Sequence, residues 1–274
     1  MRRREKWQLG LVYLGLIVAV IFFVGPLVYL FITSLKPAVE VFDFSLPSSP
    51  SLRNYRAIVN EYPVLVYLCN SSIVSLTTCV LGVGLGALAS YAFTRYRFRF
   101  SHTMHYSALV LRMLPGMALL IPFYLLFSKY GLVDTKFGLI LSNTAFNLPF
   151  VMWTLHGFFR EIPIELEEAA KIDGCSRLGV LKHIIWPLAI PGIAVTTIFV
   201  FINSWNEFDF AVVLASTDVA KTMPVALAGM MPEYGINWDH LSAAGMLYIV
   251  PTLILTFIVQ RHLVQGLTAG AVKG

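Results

Sequence analysis

The chain is short of charge. Only 13% of its 274 residues are Asp, Glu, Lys or Arg, against about 25% in an ordinary soluble domain. That shortage excludes a plain water-soluble fold. Cysteine is also scarce: Cys69, Cys79 and Cys175 show neither a disulfide framework nor metal-ligand spacing. His102, His105, His156, His183, His240 and His262 are scattered, with no pair at ligand spacing on one helical face, so no metal is expected. No G-x-x-x-x-G-K-[ST] phosphate loop is present, nor a soluble α/β stretch to carry one. The chain is therefore expected to bind no ATP and no cofactor of its own. Paired catalytic signatures are missing from the apolar stretches, which argues against a membrane hydrolase.

What fills the sequence is apolar. Hydrophobic residues make up 57% of it, and the mean hydropathy is +0.74. Six runs reach the roughly 20 residues needed to cross a bilayer: 9–34, 66–93, 106–128, 138–158, 192–214 and 242–260. Backbone groups in lipid must be satisfied internally, so the runs are predicted to be helices. They are too long and unbroken for the alternating strands of a barrel. The fold class expected is an all-α integral membrane protein of six transmembrane helices, one permease-like domain over 1–274.

Basic residues set an orientation. Arg2, Arg3, Arg4 and Lys6, then Arg95, Arg97 and Arg99, then Arg160, Lys171, Arg177 and Lys182, then Arg261 and Lys273 all fall on one side. The other side holds only Lys36, Arg53, Arg56, Lys129, Lys136 and Lys221. The positive-inside rule puts the richer side, with both termini, in the cytoplasm. The net charge of +5 is then topology, and no nucleic-acid partner is called for. The N-terminal run is too long for a signal peptide and lacks a small-residue cleavage site, so it reads as a retained first helix.

The polar stretch of about 160–190 lies between the fourth and fifth spans and so in the cytoplasm. Pro163 suits a first helical turn. Glu165, Glu167 and Glu168 sit where a helix dipole favours negative charge. Leu166, Ala169 and Ala170 are expected to share a face. Gly174 suits a left-handed helix end, Asp173 beside it helps the turn, and Ser176 can cap a second short helix. Across this stretch runs Glu168-Ala169-Ala170, three residues, Gly174, nine residues, then Ile184-Ile185-Trp186-Pro187.

That spacing closely resembles the E-A-A-x3-G-x9-I-x-L-P loop of permease subunits of bacterial ATP-binding-cassette (ABC) importers. Trp186 replaces the Leu and keeps a large apolar side chain. The resemblance implies that Glu165, Glu168, Ala169, Ala170, Asp173, Gly174 and Pro187 couple the chain to a separate ATPase. ATP and Mg would be bound by that partner. The tail of about 262–274 resembles that of maltose-type permeases, implying that Ala269, Gly270 and Lys273 reach the ATPase interface; the plain alternative is a frayed end.

The run Asn203-Ser204-Trp205-Asn206-Glu207-Phe208-Asp209 resembles one in carbohydrate permeases. Two readings stand: it lines a path, or it sits at the outer interface with Trp205 as a belt residue. Asn143 and Asn147, like Asn70, suit either a polyol or a neighbouring helix. Arg112 is read as snorkelling to headgroups rather than as a ligand. Gly82, Gly86 and Ser90 form a small-residue stripe read as helix packing.

Together these features identify a resemblance to carbohydrate-uptake permeases of the maltose and glycerol-phosphate type. It implies a homologous permease partner, two ATPase subunits, an extracytoplasmic solute-binding protein and surrounding membrane lipid. The location implied is the bacterial inner membrane. The cargo would be a disaccharide, amino sugar or polyol phosphate; tail and composition look like those of a mycobacterial amino-sugar or disaccharide importer. The rival class is a secondary transporter, ion-coupled through Glu207 or Asp209.

Overall fold

The computed structural model describes residues 2–96, 98–232 and 235–269, with side chains from Leu9 to Ile258. The described residues are helical and turn segments without a strand. In chain order the helices are α1 (Arg2–Ser34), α2 (Arg53–Glu61), α3 (Val64–Arg95), α4 (Ser101–Arg112), α5 (Gly116–Lys129), α6 (Lys136–Glu161) and α7 (Ile164–Ile172). They continue with α8 (Arg177–Val180), α9 (Trp186–Leu188), α10 (Ile190–Trp205), α11 (Asp209–Leu214), α12 (Met223–Gly229) and α13 (Trp238–Ala269).

Among the described residues, three helices are long and apolar enough to cross a membrane: Leu9–Ser34 of α1, Val64–Arg95, and Trp238–Ile258 of α13. The expected third and fifth spans are not single straight helices. α4 and α5 meet at a 100° bend, and the Arg177–Leu188 segment meets α10 at 84°. Counting each bent pair as one span gives five. The expected fourth span, α6, has 26 residues, but Ser142, Asn143, Thr144 and Asn147 dilute its apolar character. Proline chemistry accounts for the first break. Pro115 carries no N–H and caps α5 with extended ψ, so α4 cannot run on. The run 192–214 is likewise split, because α10 stops at Trp205 and a short α11 restarts at Asp209.

The chain falls into two compact units: 1–64 with 227–250, and 65–226 with 251–274. In the first, the end of α1 is tied down by Asn54, which is 5% exposed. Its amide donates to the carbonyls of Ser34 (2.9 Å) and Lys36 (2.8 Å). These are orphan carbonyls past a helix C-terminus, which need such donors. The Tyr55 and Ser34 hydroxyls meet at 2.7 Å.

In the second unit, α3 packs through its small residues. Ser90 is fully buried, and a Cβ on Gly86 would overlap the Val151 side chain of α6. The packing reading of the Gly82–Gly86–Ser90 stripe therefore holds at its centre. Phe123, Phe127, Phe146 and Phe210 join α5, α6 and α11 in one aromatic cluster, with Phe146 and Phe210 4.6 Å apart. Beyond α11, Asp134 locks the following loop. Its carboxylate accepts from the Thr217 amide (2.9 Å) and hydroxyl (2.6 Å). Those bonds hold the Asp134 carboxyl below its ordinary range.

Gly86→Val should lower stability by about 1–3 kcal/mol, the usual cost of overpacking. Gly84 supplies the control, because a Cβ added there would meet nothing within 4 Å. Gly84→Val should melt like the parent. Thermal unfolding of the detergent-solubilised chain decides, and equal melting of both variants would contradict the packing.

Candidate functional site

The α7–α8 segment forms a compact knob. Pro163 occupies the N-cap, one position before the first-turn place expected of it. Helix α7 ends in a Schellman motif: Cys175 N–H donates to Ala170 O (2.9 Å) and Gly174 N–H to Lys171 O (3.1 Å). Gly174 has φ of +88°, which a side chain would resist. Ser176 then caps α8, its hydroxyl accepting from Gly179 N–H at 3.2 Å. A π-helical turn, Leu181–Ile185, follows and leads to Pro187 in α9. Pro187 has no amide to give to the preceding turn, and π turns are often found at functional places.

The two faces of α7 differ sharply. Glu165, Glu168, Ala169, Asp173 and Gly174 are exposed, with Leu166 at 45% and Ile172 at 87%. Of the common face expected of Leu166, Ala169 and Ala170, only the first two are exposed. Ala170 turns inward at 6% exposure, on the same side as Glu167 three residues earlier.

Glu167 is the residue that sequence reasoning misses. Its place in the early turns suggests an exposed acid favoured by the helix dipole, yet it is 1% exposed. Its carboxylate pairs with Arg95 Nε and accepts from the Tyr91 hydroxyl at 3.1 Å. Arg95, at the end of α3, also donates to Phe159 O (2.9 Å) and Ile162 O (2.8 Å) at the end of α6. One guanidinium thus binds three elements, α3, α6 and α7. The available signal is an i, i+3 match of Glu167 with Ala170, which no rule of single-helix polarity would select.

A second polar feature lies in the same unit, at the junction of α4, α5, α6, α10 and α11. A cavity of about 290 Å³ is lined by Arg112, Asn143, Asn147, Asn203, Glu207 and Asp209 among others. Ligand sites usually start near about 300 Å³, so it is small. Asn143 and Asn147 are 4% and 6% exposed. Their amides donate to the carbonyls one turn back, Leu139 and Asn143, both at 2.9 Å. Asn203 Nδ2 reaches Asn147 Oδ1 at 3.4 Å. Glu207 accepts from the Phe210 (2.7 Å) and Ala211 (3.1 Å) amides, capping α11.

Four of the six residues expected on a path are therefore brought together: Asn143, Asn147, Asn203 and Glu207. Trp205 and Asn206 are not among them. Trp205 is 1% exposed and stacks on Phe201 at 5.5 Å, because α10 turns that face into the protein. The Asn206 amide bonds back to Ile202 O at 2.8 Å. Arg112, expected within the third span, lies where that span breaks. It ends α4 at the bend, its guanidinium 4.7 Å over the Phe150 ring. Of the tail residues expected at an ATPase interface, Ala269 ends α13, and Gly270 and Lys273 lie outside the described residues. Among the described residues, no cluster of three or more His, Cys, Asp or Glu could hold a metal.

Residues 82–269 match the family described as "binding-protein-dependent transport system inner membrane component". The chain belongs to this family. The match takes in both the α7–α8 knob and the polar cavity. Among relatives, the trehalose transport system permease protein SugB of Mycobacterium tuberculosis (strain CDC 1551 / Oshkosh) is 38% identical, covering 91% of this chain and 92% of that protein. The sulfoquinovosyl glycerol transport system permease protein SmoH of Agrobacterium fabrum (strain C58 / ATCC 33970) is 34% identical, covering 91% and 88%. A bacterial ABC transporter involved in import of the acidic polysaccharide alginate shares the fold. Its TM-score is 0.80 at 22% identity, over 96% of this chain and 98% of that one.

In a permease of this family, Arg95 would join the knob to the membrane helices. Removing one partner of a buried pair costs about 3–5 kcal/mol, while removing both for apolar residues costs far less. Glu167→Ala and Arg95→Met should each lower the melting temperature strongly, and Arg95→Met with Glu167→Met should recover part of the loss. A thermal double-mutant cycle measures this; additive losses would mean the two side chains do not interact.

Proposed function

We propose that this chain is the transmembrane subunit of an ATP-driven, binding-protein-dependent importer of a sugar or sugar derivative. The observation that carries the reading is the α7–α8 knob, exposed on one face and fixed on the other by the Arg95–Glu167 pair. A helix that merely linked two spans would need no buried anchor. A helix that receives force from a partner does, because the force must reach α3 and α6 without loss.

The proposed complex contains this chain, a homologous permease, two ATPase subunits and an extracytoplasmic solute-binding protein. Catalysis belongs to the ATPases, which would bind ATP and Mg; this chain transmits. Its membrane is the bacterial inner membrane, crossed by α1, α3, α6, α13 and the two bent pairs, with both termini cytoplasmic. Glu165, Glu168, Leu166 and Ile172 form the outward face that would seat in the ATPase. When the ATPases close, α7 moves, and Arg95 carries the displacement to α3 and to the end of α6. The spans then rock about a site deep in the membrane, as in alternating access.

The substrate class is supported by relatives named for trehalose and sulfoquinovosyl glycerol transport. The cavity chemistry agrees. Its side-chain amides and carboxylates can exchange hydrogen bonds with hydroxyl groups. Glu207 already spends both oxygens on the α11 amides, a structural duty that does not favour it as a carrier of transported ions.

Two experiments follow. Glu168→Lys and Gly174→Val should reduce copurification of the ATPase and abolish uptake, while the chain still inserts; normal attachment and uptake in both would overturn the coupling role. Asn203→Leu, which removes the donor to the buried Asn147 side-chain oxygen, should cut uptake about tenfold, matching the roughly 1–3 kcal/mol of an acceptor left unpaired, with assembly intact. Asn206→Ala, away from the cavity, should transport better than Asn203→Leu. The reverse order would remove the cavity from the path.

A further inference from the structure

A larger cavity, of about 580 Å³, lies beside the Arg95 end of α3, between α3, α4 and α6. Arg95, Arg160, His102, His105, His156 and Trp153 are part of its wall, and none of the lining residues is acidic. Arg95 spends its donors on Glu167 and the α6 carbonyls, so it contributes charge here more than contacts. Arg160 forms no salt bridge among the described residues.

His105 is the unusual member. It is 8% exposed, and neither ring nitrogen meets a hydrogen-bonding partner among the described residues. Its ring stacks on Trp153 at 4.3 Å and lies 4.6 Å from His156. The Trp153 indole N–H donates to the His105 carbonyl at 3.2 Å, fixing that geometry. The Thr94 hydroxyl donates to Ser90 O at 2.7 Å, so His156 Nδ1–H donates to Thr94 at 2.8 Å; Nε2 is the nitrogen open to a ligand, and it donates once the ring is protonated beside an anion. An imidazole always carries at least one N–H, and a buried donor needs an acceptor. Two close imidazoles flanked by two guanidinium groups disfavour one another's charged forms unless a negative charge joins them.

We propose that this cavity binds a phosphate oxyanion, as the headgroup of an anionic phospholipid or as a free phosphate or phosphate ester. Phosphate offers several acceptor oxygens at once, which suits a wall of imidazole N–H donors and an unpaired guanidinium better than a single carboxylate does. Arg95 belongs both to this wall and to the knob anchor, so an occupant would lie directly against the element that holds α7. Placement at the cytoplasmic headgroup level rests on the orientation proposed above. The binding itself does not.

The test uses the full chain in a neutral maltoside detergent. Inorganic phosphate is titrated by calorimetry, and mixed micelles carrying phosphatidylglycerol or phosphatidylcholine are compared by native mass spectrometry. Arg160→Gln removes an exposed charge and leaves the packing alone. His105→Phe keeps a stacked ring and removes both nitrogens. Each should weaken binding of phosphate or phosphatidylglycerol about tenfold, the effect of losing a charge-assisted contact. If phosphatidylglycerol is retained over phosphatidylcholine and blocks phosphate, the occupant is a lipid headgroup. If phosphate binds and phosphatidylglycerol does not compete, the occupant is soluble. Absence of saturable phosphate binding together with no preference for phosphatidylglycerol overturns the proposal, as does binding that both variants leave unchanged.

Discussion

The Arg95 guanidinium is the constraint on which the functional end of this protein depends. It sits where α3 ends, caps the last carbonyls of α6, and neutralises a carboxylate on α7 that is almost wholly out of water. A carboxylate so buried is tolerated only with a charged, hydrogen-bonded partner. The Ile162 carbonyl, just past the end of α6, takes its side-chain donor from Arg95, and Phe159 O gains a second donor beside the Ile162 amide. One side chain serves all of these groups, so the three elements are committed to one arrangement. That commitment ties the knob to the helices behind it and leaves its other face exposed.

The same need to satisfy polar groups applies at two helix breaks, between α4 and α5 and between α10 and α11. Where α4 stops at Arg112 and α10 stops at Trp205, backbone groups lose their helical partners. The structure places side chains at the second break: Glu207 receives the first amides of α11. The Asn143–Asn147–Asn203 chain adds further polar groups beside it. Broken backbone and buried amides thus occur together around one cavity, which is where irregular backbone is tolerated at membrane depth. Phe146 and Phe210 line that cavity, and with Phe123 and Phe127 they hold α5, α6 and α11 against one another.

Much of this is legible in the sequence. The knob is, because its cues are local: a proline start, a glycine at positive φ, a serine three residues before an amide it caps. Local hydrogen bonding is decided within a few residues, so spacing reports it. The close packing of Gly86 is readable for a similar reason, since a missing side chain marks a close approach. The inward turn of Ala170 and Glu167 is not readable. Helical spacing says that the two share a side, yet burying an acid is favourable only because Arg95, seventy-two residues earlier, waits there. The position of Trp205 escapes in the same way. A tryptophan beside polar residues suits a belt or a stacking platform, and only the neighbourhood of Phe201 makes it core.

By itself the sequence determined the all-helical membrane class, the apolar runs that could span and the conformation of the knob. Each follows from composition, from runs of apolar residues or from bonds made within one turn. The tertiary structure alone decided which acid is buried, where two spans bend, which asparagines meet, and which histidines face a cavity. Those outcomes depend on residues far apart in the chain, whose burial and charge become coupled only when the helices pack.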